Sequence, residues 1–137
     1  MMIRSIMSRH VHVLDAGASM RAAAQMMQRE DIGSVPISED DKLVGMVTDR
    51  DIVVRAVAEG WQIDTPLREV MSNGVKYCYD DDSVDDVARN MSDLGVRRLP
   101  VVDRDKKLVG FVSLANISSA GNARATDELL QGTAQPH

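Results

Sequence analysis

Thr48 and Asp51 are the first side chains whose types and spacing can do chemistry. They close the run Gly45-Met46-Val47-Thr48-Asp49-Arg50-Asp51, where an apolar stretch gives way to acidic residues. A hydroxyl three residues before a carboxylate is a helix-capping pattern, each side chain holding the other's backbone amide. The same pair can serve a ligand. A carboxylate accepts hydrogen bonds from two neighbouring hydroxyls, and the amides of a helix start attract an anion. The two uses are compatible. A second run, Gly110-Phe111-Val112-Ser113-Leu114-Ala115-Asn116, repeats the pattern with asparagine in the last place, which removes the charge.

Other candidates are weaker. Arg97 and Arg98 are adjacent; an arginine fork suits phosphate geometry, and a pair of solvated arginines is the plain alternative. Arg50 adds a third cation beside Asp51. His10 and His12 share one strand face, and His137 lies far away in the tail. Asp80, Asp81 and Asp82 precede a helix whose dipole they are expected to complement. Cys78 is the sole cysteine, so no internal disulfide forms, which fits a reducing, cytoplasmic setting. It has no evident His or Asp partner and is expected on a strand between Tyr77 and Tyr79. No spacing suggests structural zinc, and there is neither a Gly-rich phosphate loop nor a nucleophile elbow. No catalytic residue, metal site or required cofactor is expected, and the protein is read as a non-enzyme.

The elements that position these residues come twice. Met7-Ser8 recurs as Met71-Ser72, and Ser19, Ala24, Met27 and Pro36 recur as Ser83, Ala88, Met91 and Pro100, all 64 residues apart. One extra residue enters the charged turn Asp103–Lys107. After it Leu43, Val44, Gly45, Val47 and Ile52 match Leu108, Val109, Gly110, Val112 and Ile117 at a separation of 65. Each copy reads as strand, helix, strand, strand, helix. Short strands are expected at Val11–Leu14 and Val75–Tyr79. Helices follow with apolar faces Met20, Ala23, Ala24, Met27 and Val84, Val87, Ala88, Met91, capped by Ser19 and Ser83. Gly33 and Gly95 are expected at the left-handed helix exits. Hairpins Ser34–Ile37 with Leu43–Thr48, and Arg98–Val102 with Leu108–Ser113, come next; Pro36 and Pro100 suggest that the first strand of each lies at an edge. Final helices start near Asp49 and Leu114. The boundaries read 1–60 for the first repeat, 61–69 for a linker, 70–120 for the second repeat and 121–137 for a tail in which 123–130 favours a helical turn or two. Trp61, in the linker, is expected to pack rather than stand free.

Composition sets outer limits. The 137 residues are 44% apolar but only 3% aromatic, so the core must be aliphatic. A half of roughly 60 residues is marginal alone, and each is expected to need the other for its core. The net charge of −5 argues against nucleic acid as a partner. No apolar run approaches a membrane span of ~20 residues, and the start, MMIRSIMSRHVHV, lacks a signal-type stretch.

The doubled motifs resemble a CBS-domain pair, or Bateman module, over residues 3–120: Ile6–Ser8, Asp31–Ile37 and Leu43–Val53, then Val70–Ser72, Gly95–Asp103 and Leu108–Ile117. The chain looks most like the stand-alone bacterial members, with no attached enzyme or transporter. The resemblance implies a mixed α/β fold of tandem β-α-β-β-α repeats packed with pseudo-two-fold symmetry. It also implies binding of an adenosine-containing nucleotide such as AMP, ATP, NAD or S-adenosylmethionine in clefts between the repeats, relayed to a downstream protein. Carried onto this sequence, Thr48 and Asp51 meet ribose and phosphate, with Arg50 beside them, and Ser113 and Asn116 are their second-copy counterparts. Ser8, Val13, Ser34 and Pro36 line a cleft from the first copy, and Ser72, Tyr77 and Pro100 from the second. Arg97 and Arg98 face the phosphate end. Main chain near Val13 and Tyr77 reads an adenine edge. The resemblance further implies a homodimer. An interaction or scaffold protein of the same shape, with no small-molecule ligand, is the open alternative.

Overall fold

A computed structural model describes residues 1–120; the tail at 121–137, including the turns expected at 123–130 and His137, lies outside them. The order is a 3₁₀ turn Ile3–Ser5, β1 Leu14–Asp15, α1 Met20–Glu30, β2 Ser34–Glu39 and β3 Lys42–Thr48. Then come α2 Asp49–Asp51, running on as a π-helical segment Ile52–Val57, and α3 Leu67–Val70. β4 Cys78–Tyr79, α4 Val84–Leu94, β5 Arg98–Val102, β6 Leu108–Ser113 and α5 Leu114–Ser119 complete it. The fold is mixed α/β with two three-stranded sheets, β1-β2-β3 and β4-β5-β6. In each, the first pair is parallel and the second antiparallel. No helix among the described residues is long and apolar enough to cross a membrane.

The caps behave as their residue types dictate. Ser19 Oγ accepts from the Ala22 amide at 3.1 Å and Ser83 Oγ from the Asp86 amide at 3.1 Å. The exits differ from expectation. Gly95 ends α4 at φ 69°, but α1 ends on Asp31 at φ 53°. Asp31, not Gly33, stands 64 residues before Gly95, and aspartate tolerates the left-handed region better than most side chains. The face of α4 is buried as expected, whereas in α1 Ala24 is exposed while Met20, Ala23 and Met27 are buried. A single methyl gains little from burial.

Pro36 and Pro100 lie in middle strands, not at edges. The ladder tolerates them for a specific reason. Pro36 is opposite Met46, whose own amide and carbonyl point away from β2 and bond Ser72 at 3.0 and 2.8 Å. The Pro36–Met46 pair is therefore a non-hydrogen-bonded one, and β3 asks nothing of the missing Pro36 N–H. On the other flank β1 pairs only with Ile37 and Ser38. Pro100, opposite Phe111, repeats the arrangement, with Phe111 bonded to Ser8 at 2.7 and 2.8 Å.

The chain divides into two units: His12–Val75, and Met1–Val11 with Lys76 onward. The mutual dependence of the halves thus takes the form of exchanged leading segments. Ile3 and Met7 complete a core of Cys78, Val84, Val87, Ala88, Met91, Leu99, Val101, Val112 and Ile117. Their counterparts 64 residues on, Leu67 and Met71, pack with the His12–Val75 core around Val35, Ile37 and Val47. Each Met-Ser leader lies across a glycine. A Cβ on Gly110 would stand 2.5 Å from the Ser8 carbonyl oxygen and 2.9 Å from Met7 Sδ; on Gly45 it would stand 2.5 Å from Met71 Sδ and 2.9 Å from the Ser72 oxygen. Gly110→Ala should destabilise by about 1–3 kcal/mol in urea unfolding. Gly45→Ala should cost less, because its nearest neighbour is a movable thioether. Gly74→Ala, with nothing within 4 Å, should stay within about 0.5 kcal/mol of the parent.

Candidate functional site

At the end of β3, Thr48 leaves the strand in extended conformation and starts α2. Its Oγ1 accepts from the Asp51 amide at 3.0 Å, and Asp51 Oδ2 accepts from the Thr48 amide at 3.0 Å. The capping reading is realised in full. In the second copy Ser113 Oγ accepts from the Asn116 amide at 3.3 Å. Asn116 Oδ1 accepts from both the Ser113 amide and hydroxyl at 2.8 Å. Each cap fixes one terminal atom of residue 51 or 116 and leaves the other without a partner among the described residues: a carboxylate oxygen on Asp51, the side-chain NH₂ on Asn116.

The leaders bring serines to these turns. Ser72 bridges Met46, two residues or about 7 Å along β3 from Thr48; Ser8 bridges Phe111 at the same remove from Ser113. The site residues expected from the two copies fall into the two units as follows. Val13, Ser34, Pro36, Thr48, Arg50, Asp51 and Ser72 belong to the His12–Val75 unit, and Ser8, Tyr77, Arg97, Arg98, Pro100, Ser113 and Asn116 to the other. Ser8 and Ser72 each stand in the unit of the other copy, because each leader pairs with the strand of the opposite copy. Ser8 and Ser72 are exposed, Ser34 and Tyr77 half-buried, and Val13 37% exposed; Pro36 and Pro100 are buried. Arg50, with Asp49, Val53 and Val54, lines a shallow hollow of about 350 Å³. Arg50 therefore does not share a unit with Arg97 and Arg98. Arg98 is not simply solvated: its guanidinium lies 4.9 Å over the Phe111 ring. Arg97 is exposed.

Sequence reasoning missed a cation–aromatic cluster around the start of β4. The Tyr77 and Tyr79 rings meet edge to face at 5.7 Å. Arg104 lies 4.1 Å over Tyr79 and Lys106 5.5 Å over Tyr77. Arg104 also grips Asp81 through two bonds of 3.0 and 2.7 Å, which hold that carboxyl below its ordinary range. The signal available was alternation, which puts both tyrosines on one face of the strand expected at Val75–Tyr79. The acidic run also has partners of its own. Asp80 pairs with Arg4 at 3.8 Å, Asp81 with Arg104, and Asp82 accepts from the Tyr79 amide at 2.9 Å. Cys78 is buried on β4 as expected. Burial, and secondarily the charge of Asp82, pushes its thiol from 9.0 up to about 12. His12 lies 3.6 Å from Glu30, and no three His, Cys, Asp or Glu side chains among the described residues gather as a metal site.

The model of the CBS domain matches residues 3–57 and again 67–122. This chain belongs to the CBS-domain family. The CBS domain-containing protein YhcV of Bacillus subtilis is 34% identical over 128 residues, covering 88% of this chain and 91% of that protein. Hypoxic response protein 1 of Mycobacterium tuberculosis is 37% identical over 117 residues, covering 84% and 81%. The crystal structure of Hypoxic Response Protein I, with two coordinated zinc ions, superposes with a TM-score of 0.76 at 35% identity, covering 88% of this chain and 98% of that one. The CBS domain pair of protein MJ0100, solved with 5′-methylthioadenosine and S-adenosyl-L-methionine, gives a TM-score of 0.69 at 30% identity, covering 90% and 98%.

Two outcomes are expected of this CBS pair. Asp51→Ala should lower the unfolding free energy by about 1 kcal/mol through loss of the cap. Asp51→Asn should cost less, since Asn116 shows an asparagine making the same cap and only a charge–dipole contribution is lost. Cys78 should resist a thiol reagent at pH 8 until the protein unfolds, and chain stability should decline as pH rises from about 9 toward 12, where the thiolate is favoured only in the unfolded chain. Rapid labelling of the native protein would contradict this.

Proposed function

We propose that this CBS pair is a non-enzymatic regulatory module that binds an adenosine-containing ligand, of the AMP, ATP, NAD or S-adenosylmethionine class, and acts in the cytoplasm on a downstream protein. The observation that carries the reading is the turn at Thr48–Asp51. The cap immobilises the Asp51 carboxylate and leaves Oδ1 as a pre-oriented ionised acceptor, suited to a ribose hydroxyl pair. Ser72, Ser34 and Arg50 supply neutral and cationic groups in the same unit. Arg97 and Arg98 supply cations for phosphate in the other, the unit that also holds Tyr77 and Ser8. The adenosine compounds held by the MJ0100 pair support the ligand class. Cys78, protonated and in the core, offers no nucleophile.

Calorimetry with AMP, ATP, NAD and S-adenosylmethionine tests this. Asp51→Asn should weaken the tightest of them roughly ten- to a hundred-fold, the loss of a charge-assisted hydrogen bond. An unchanged affinity in the folded variant would remove the ribose role.

A second reading, an interaction protein with no small-molecule ligand, draws on the π-helical segment and the residues just after it. Val53, Val54, Val57, Trp61 and Ile63 are 39–61% exposed, Trp61 the least so. We assign this apolar stretch to a second copy of the chain, as a two-fold contact presents the same patch from each protomer. Sedimentation should show a dimer of the 15.0 kDa chain that Val54→Asp dissociates; a parent that sediments as a monomer at micromolar concentration would contradict it.

A further inference from the structure

The sequence holds four asparagines, Asn73, Asn90, Asn116 and Asn122, and only Asn73 is followed by glycine. An asparagine side chain is open to attack by the backbone nitrogen of the next residue, and a glycine there puts no Cβ in the way of the approach. The reaction needs both groups free and a backbone that is not locked. Asn73 and Gly74 are exposed and lie in the coil between α3 and β4. Neither the Asn73 side chain nor the Gly74 N–H has a hydrogen-bond partner among the described residues. A Cβ on Gly74 would meet nothing within 4 Å. The other described asparagines lack this combination. Asn90 is exposed, but the next nitrogen belongs to the buried Met91 inside α4 and is committed to the helix ladder. Asn116 has its Oδ1 held by the Ser113 amide and hydroxyl at 2.8 Å and is followed by the β-branched Ile117 within α5. The first copy has Arg9 and His10 at the places of Asn73 and Gly74, so the pair belongs to the second leader alone.

We infer that Asn73-Gly74 is a site of spontaneous covalent modification, at which Asn73 is converted to aspartate and isoaspartate. The Gly74 nitrogen bonds to the side-chain carbonyl carbon of Asn73 and closes a succinimide ring. The side-chain nitrogen leaves as ammonia, carrying the proton that Gly74 gives up. Water then opens the ring at either carbonyl, with no oxidant or reductant involved. One opening restores the ordinary peptide bond beside an aspartate side chain. The other routes the main chain through the former side chain, as isoaspartate. Either product adds a negative charge to a chain whose net charge is −5. Isoaspartate also lengthens the backbone by a methylene, in the residue that follows Ser72, whose amide and carbonyl bond Met46 at 2.8 and 3.0 Å. The inference is independent of the adenosine reading.

The test is to incubate the full folded chain for days at mildly alkaline pH and to compare its tryptic peptides with those of the fresh protein. The peptide spanning 69–76 should gain the mass of an amide-to-acid exchange and separate into two products. One of them should accept a labelled methyl group from S-adenosylmethionine in the presence of an isoaspartyl methyltransferase, which marks isoaspartate. In isotopically labelled water the label should enter at residue 73. The peptide carrying Asn90 should keep its amide over the same period. Gly74→Ala, for which the open space around Gly74 leaves the fold intact, should slow conversion of Asn73 several-fold, because the new methyl group hinders the attacking nitrogen. An Asn73 amide that survives in the folded chain while a free peptide of the same sequence loses it overturns the inference. Conversion at the parent's rate in Gly74→Ala also overturns it, since that would mean direct hydrolysis without the ring.

Discussion

Everything in this molecule hangs on the leader that each copy lends to the other copy's core. Met7-Ser8 and Met71-Ser72 can cross the last hairpin strands only because Gly110 and Gly45 carry no Cβ. The crossing turns the amide and carbonyl of Phe111 and Met46 outward to the leader. This makes their partners Pro100 and Pro36 members of non-hydrogen-bonded pairs, so a residue without an N–H is harmless in a middle strand. The same crossing supplies Ile3 and Leu67 to two aliphatic cores that contain few aromatics to fill them. One backbone contact thus settles core, sheet and the position of the exposed serines.

The turn after each crossing is where packing hands over to chemistry. A strand ending in Thr48 or Ser113 must pass into a helix, and its first free amides need acceptors. The residue three places on provides one in each copy. The cap uses one of that residue's two terminal atoms, so stability and recognition share one side chain without competing for the same atom. The identity of residue 51 or 116 then decides the polarity of what is left over.

Much of this was legible in the sequence. The 64- and 65-residue offsets, the serine caps, the hairpins and the starts of α2 and α5 are local or periodic, and residue type determines them. The capping pattern at Thr48–Asp51 was readable for the same reason. The features that escaped depend on partners far away in the chain. Nothing near Ser8 announces that its partner is Phe111, nor near Ser72 that its partner is Met46. A proline rule that counts strands without their hydrogen-bonding phase put Pro36 and Pro100 at edges. The ion partners of the acidic run Asp80–Asp82 escaped because Arg4 and Arg104 lie too far off in sequence to be seen.

The central claim is that the capped turn at Thr48–Asp51 is a ligand contact as well as a helix start. Amide chemical shifts of the isotopically labelled protein, tracked during titration with AMP, test it most directly. The account predicts saturable shifts centred on Thr48, Asp51 and Ser72, with Gly74 and Gly60 unmoved. Saturating AMP that leaves the Thr48–Asp51 amides in place would contradict it.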